Sequence, residues 1–126
     1  MKKIIFTPNA PAPIGPYSQA VVFGTTLYTS GQIALHPETM ELVIDSIAAE
    51  TKQVMENLKA VLTASNFTFD QVVKSTIFIT DMNDFSAINA IYANYFDEKT
   101  APARETVQVA ALPKGVHVEI SMIAVK

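Results

Sequence analysis

The chain has 126 residues, 49% of them apolar, with a net charge of −3 and no cysteine. That length suffices to bury roughly two-thirds of the unfolded surface without staples, and the lack of cysteine excludes a disulfide framework and a thiolate metal site. Its lysines are scattered rather than gathered into the basic stripe that phosphate neutralisation needs, which argues against a nucleic-acid partner.

The opening Met1-Lys2-Lys3 followed by Ile4-Ile5-Phe6 imitates a signal peptide, but its apolar run stops at Thr7-Pro8-Asn9. No stretch reaches the ~18 apolar residues of a membrane span. His36 and His117 are far apart and lack ligand spacing. The expectation is a soluble cytoplasmic protein with one domain over residues 1–126, no membrane association and no metal.

A first strand is expected over Lys2–Phe6. "TPNAPAPIGP" follows, holding four of the seven prolines, and can be neither helix nor central strand. Irregular backbone of that length in a small protein packs on something or lines a site. "SQAVVF" and "TLYTSG" read as a hairpin around Gly24-Thr25.

From Ile47 the period lengthens. Ile47, Val54, Leu58, Val61 and Leu62 share a helical stripe, with Glu50, Lys52, Gln53, Glu56 and Lys59 expected to face away. Asp45 or Ser46 can cap this helix, and Ser65-Asn66 ends it. "QVVKSTIFIT" is a β-branched strand. "DMNDF" reopens a helix whose apolar face is Phe85, Ile88, Tyr92 and Tyr95 or Phe96. "RETVQVA" and "VHVEISMIAV" close the order β-β-β-α-β-α-β-β, with Leu112-Pro113-Lys114-Gly115 between them.

Two helices cover only one face of a sheet of about six strands. In the last strand Val116, Val118, Ile120, Met122 and Ala124 form one face, and His117, Glu119, Ser121, Ile123 and Val125 the other. A half-apolar face without a helix to cover it predicts self-association. If the last two strands form a hairpin, Arg104 faces Ile123 and Gln108 faces Glu119. Arg104 and Glu119 are then too far apart to meet within one chain.

Five polar features do not fit a plain packing scheme. Arg104, the only arginine, begins a strand directly after "APA"; its planar fork suits a carboxylate or phosphate in a way an ammonium does not. An idle surface charge is the alternative. Glu119 sits mid-strand, either solvated or held in a cleft where it activates water. Asn89 lies on the apolar face of the second helix, where bonding to nearby backbone is favoured. Ser30-Gly31 at a strand end offers an anion contact or simple turn chemistry, and Tyr17 is a candidate site residue or a packing aromatic. No nucleotide-binding glycine motif, HExxH or GxSxG is present.

Taken together, "NAPAPIGPYSQA", "LYTSGQI", "NLKAVL", "VVKSTIFITDMNDFSAINAIYANYF", "PAR" and "LPKGVHVEISMIAV" resemble the RidA/YjgF family of enamine/imine deaminases over nearly the whole chain. The resemblance implies an α+β, chorismate-mutase-like fold: a mixed sheet of about six strands with two helices on one face. Three subunits would pack sheet to sheet as a homotrimer with a site in each inter-subunit cleft.

It also implies roles. Arg104 would grip the substrate carboxylate, and Tyr17, Ser30, Gly31, Asn89 and Glu119 would line the site. Glu119 would position water, with Ser30 or Tyr17 assisting proton movement. The implied activity is 2-iminobutanoate/2-iminopropanoate deamination: water adds at C2, ammonia leaves and a 2-oxo acid remains, protecting pyridoxal-phosphate enzymes without any cofactor of its own. A non-catalytic sensor of small carboxylates using the same cleft is the alternative function. Many members carry a small residue and a cysteine after the arginine, where Glu105 and Thr106 stand here; Thr106 is expected to substitute through its backbone.

Overall fold

The computed structural model describes residues 1–126. Six strands and two helices follow the expected order: β1 (Lys3–Ile5), β2 (Ala20–Phe23), β3 (Thr26–Thr29), α1 (Ile47–Ala64), β4 (Val72–Ile79), α2 (Phe85–Tyr92), β5 (Ala103–Gln108) and β6 (Val118–Val125). Ser46 caps α1, its hydroxyl accepting from the Ala49 N–H at 3.0 Å. The β2–β3 hairpin turns at Gly24, whose φ of +62° suits glycine.

The strands form one sheet in the order β1-β2-β3-β6-β4-β5. Only β4 and β5 run parallel, as a helical crossover through α2 permits. The expected β5–β6 hairpin does not form. Ser75 of β4 pairs with Arg104 and Phe78 of β4 pairs with Glu119, so β5 and β6 flank opposite edges of β4. Composition explains the arrangement. Along β6 every second residue is buried, from Val118 to Ala124, which suits a central strand, whereas "ARETVQ" is polar and exposed, which suits an edge.

Both helices pack on one face, where Val54, Met55, Leu58, Val61, Leu62 and Ile88 meet Leu27, Ile77, Ile79, Ile120 and Met122. The other face is uncovered and carries Phe23, Tyr28, Val107 and Val125 at 38–60% exposure. No helix is long and apolar enough to cross a membrane.

Three buried polar side chains fix the segments around the site. Gln19, in the approach to β2, accepts from the Thr7 N–H at 2.7 Å and donates to the carbonyls of Thr7, Ala10 and Pro11. It thereby shapes the Pro/Ala stretch. Asn57 of α1 donates to the carbonyls of Ile33 and Leu35 at 3.1 and 2.9 Å.

Glu50, expected on the solvent side of α1, is instead fully buried. One carboxyl oxygen accepts from the N–H groups of His117 and Val118 at 2.7 and 3.0 Å, and the other lies 2.8 Å from His117 Nδ1. The spacing Ile47, Glu50, Thr51, Val54 is that of a single helical face. Polarity, not period, suggested the wrong side.

Candidate functional site

The sequence-predicted residues assemble into two groups on opposite faces of the sheet. Tyr17, Ser30, Gly31 and Glu119 border one cavity of about 350 Å³, together with Ile14 and Pro113. Glu119 projects from β6 on the uncovered face, and partial burial pushes its carboxyl pKa up. Its backbone is bracketed: Glu50 holds residues 117 and 118, while Gln32 exchanges both backbone hydrogen bonds with Ile120.

Gly31 is required for close approach. A Cβ there would lie 2.7 Å from Glu119 Cδ and 2.9 Å from its Cγ and Oε2, distances that real Cβ atoms essentially never show. Because the obstacle is a side chain, Gly31→Ala is expected to leave the melting temperature within a few degrees while swinging the Glu119 carboxyl aside. A crystal structure of the variant, beside its melting curve, checks both statements.

Ser30 donates its hydroxyl proton to the Ser18 carbonyl at 2.5 Å. That bond occupies the hydroxyl's one proton and leaves its oxygen lone pairs toward the cavity. Tyr17 is 49% exposed and its hydroxyl accepts from the Ile14 N–H at 3.4 Å, so it forms a wall of the cavity rather than part of the core.

Arg104 belongs to the second group. On β5 it points to the helix-covered face, where its Nη1 donates to Asn89 Oδ1 at 2.7 Å. Asn89 therefore bonds the arginine, not nearby backbone as its position had suggested. The guanidinium carbon lies 4.9 Å from the Tyr92 ring centroid and 5.7 Å from that of Phe85. Arg104, Asn89 and Tyr92 border a cavity of about 660 Å³ with Phe96, Glu98 and Pro102. Thr106, opposite Ile77 in the ladder, lies two residues on from Arg104 and shares its face.

Glu105 points the other way, as alternation requires. It pairs with Lys74 at 3.1 Å and accepts from the Thr76 hydroxyl at 3.1 Å. The Lys74 bond is the main reason that its carboxyl pKa is lowered. It does not neutralise Arg104. No group of three or more His, Cys, Asp or Glu side chains has a metal-holding arrangement.

Sequence reasoning missed Gln19, Glu50 and Asn57, which build the site's framework, and the contact of Tyr92 with Arg104. Helical spacing was the available signal for Glu50 and Asn57, which share a face seven residues apart. Nothing local marked Gln19, whose partners lie 8–12 residues back in an irregular segment.

The family model described as endoribonuclease L-PSP matches residues 7–126. A RutC family protein of Synechocystis is 54% identical over 98% of this chain and 95% of its own length. The mouse protein named 2-iminobutanoate/2-iminopropanoate deaminase is 48% identical over the whole of this chain and 93% of its own. The solved structure of Escherichia coli TdcF with bound serine superposes with a TM-score of 0.92 at 45% identity, covering 98% of both chains. By sequence over nearly its full length, and by its six-stranded mixed sheet with two helices, this chain belongs to the RidA/YjgF family.

Proposed function

We propose that this protein hydrolyses the short imines derived from 2-aminoacrylate and 2-aminocrotonate, without a cofactor, in the cytoplasm. The observation that carries the reading is Arg104, a guanidinium oriented by one amide and two aromatic rings beside an open cavity. A planar fork with free N–H donors matches the carboxylate common to these substrates. Names of relatives point the same way: the mouse and bovine proteins, both 48% identical, are named as imine deaminases.

The chemistry follows from the enamine's conversion to the iminium acid. Water oriented by the Glu119 carboxylate adds its oxygen to C2, and Glu119 takes the proton released. Glu119 returns that proton to nitrogen and takes the remaining hydroxyl proton as the C–N bond breaks, giving the 2-oxo acid and ammonia, which leaves as ammonium once Glu119 gives up the second proton. Ser30 supplies an acceptor for the substrate N–H, and Thr106 serves through its backbone. Arg104 and Glu119 occupy opposite faces of one sheet, so a working site takes Arg104 from one subunit and Glu119 from the next. The uncovered apolar face supports such a homotrimer.

The test couples a serine/threonine dehydratase to the purified protein and follows imine decay. Acceleration over buffer is expected. The acidic limb of the pH–rate profile should lie above the ordinary carboxylate range, because ionised Glu119 is the active form and its pKa is raised. Activity is then lost as pH falls through that raised value, and Glu119→Gln removes the limb along with most of the rate. Decay at the buffer rate, with 2-oxobutanoate still bound, would establish a carboxylate sensor instead. The family model's nuclease description finds little support in a chain of net charge −3 without a basic stripe.

A further inference from the structure

We infer that Tyr92 is a positioning residue whose ring holds the Arg104 guanidinium in its carboxylate-binding orientation. The inference builds on Arg104 as the carboxylate anchor, but its test does not require turnover.

Tyr92 is 5% exposed at the C-terminal end of α2, and its hydroxyl donates to Ser75 Oγ at 2.9 Å. Ser75 is fully buried on β4, directly opposite Arg104 in the parallel ladder. Ring and guanidinium therefore rest on one rung of the sheet, each fixed to a different strand of it. Phe85, seven residues earlier on the same face of α2, supplies a second and more distant ring at 5.7 Å.

The geometry restricts motion without consuming donors. An arginine has five N–H groups. Asn89 takes one of them, and an aromatic face attracts the cation through its quadrupole without accepting the in-plane N–H bonds. The remaining fork stays available to a carboxylate, while the long side chain surrenders its rotamer freedom on folding rather than on binding. An exposed arginine without the ring would have to be ordered afresh by each substrate molecule.

The hydroxyl and the ring make separable contributions. Tyr92→Phe keeps the ring and leaves the buried Ser75 hydroxyl without its partner. Tyr92→Leu removes the π face and keeps an apolar side chain. A purely structural role would make both variants affect Arg104 only in proportion to their loss of stability.

Arg104 is the sole arginine, so protein labelled with ¹⁵N-arginine gives a single guanidinium Nε–H signal. Its order parameter reads immobilisation directly, and titration with 2-oxobutanoate reads affinity. In the full-length protein the wild-type order parameter should be near ~0.8, and Tyr92→Phe should preserve it despite a lower melting temperature. Tyr92→Leu should drop it below about 0.6 and weaken 2-oxobutanoate binding roughly tenfold. Phe85→Leu, at a partly exposed ring, should give a smaller loss in the same direction and serves if Tyr92→Leu does not fold.

A mobile Arg104 in wild type would overturn the inference. So would an order parameter unchanged in Tyr92→Leu, or unchanged in Phe85→Leu if only that variant folds. A rigid Arg104 beside an unaccelerated imine decay would instead fail the deaminase reading and leave this one standing.

Discussion

Arg104→Ala should reduce kcat/KM for imine hydrolysis by at least about 100-fold while lowering the melting temperature by no more than a few degrees, the cost of its contacts with Asn89 and Tyr92. Two hydrogen bonds from a guanidinium to a substrate carboxylate are worth about 1.5–3 kcal/mol each, and each 1.4 kcal/mol is tenfold. A substrate of so few atoms has little else to hold it. The side chain lies exposed on an edge strand, so its removal opens no core cavity. Arg104→Lys should recover only a small part of the rate, because an ammonium cannot present two parallel donors or lie flat on the Tyr92 ring. Steady-state kinetics on the dehydratase-coupled assay, with a melting curve on each variant, checks both statements.

The largest stability effect is expected at Glu50. Glu50→Ala strips the buried N–H groups of His117 and Val118 of their acceptor, at about 1–3 kcal/mol for each donor left unsatisfied. A loss of about 3 kcal/mol is expected in denaturant titration, a large share of the 5–15 kcal/mol typical of native proteins. Glu50→Gln keeps an oxygen where both N–H groups point and should cost about 1 kcal/mol or less. Activity should follow the same ranking, since residues 117 and 118 lead directly into Glu119.

Element types and order were legible because each rests on local periodicity. Alternating burial over Val118–Val125 and the α1 stripe from Val54 to Leu62 appear in the structure as the sequence implied. Pairing was not legible. A short connection between two strands suggests a hairpin, yet β5 joins β4 because the α2 crossover delivers it parallel to that edge, while β6 fits the slot between β3 and β4. The choice depends on how apolar each strand is relative to its competitor, which no single segment reveals.

The candidate site residues carried other marks. Arg104 stands out as the only arginine, and Glu119 and Asn89 as polar groups among apolar neighbours. Their placement was less legible: Asn89 turned to Arg104 because β5 brings the guanidinium under α2, a contact between residues 15 apart. Glu50 illustrates the opposite failure. A charged side chain was assigned to solvent by its chemistry, although its partners, 67 and 68 residues distant, make a buried place for it.

The central position of β6 bears on how the chain is made. During synthesis the first five strands emerge before the one that joins them, so β1–β3 and the β4–β5 unit exist as two fragments with facing unpaired edges. Neither can settle until residues 118–125 are available to pair with both. The decisive step of folding therefore waits for β6, and a chain in which β6 has not yet docked presents bare strand edges that invite mispairing with other chains. A chaperone that shields those edges until residues 118–125 arrive would raise the yield of folded protein without touching its final stability.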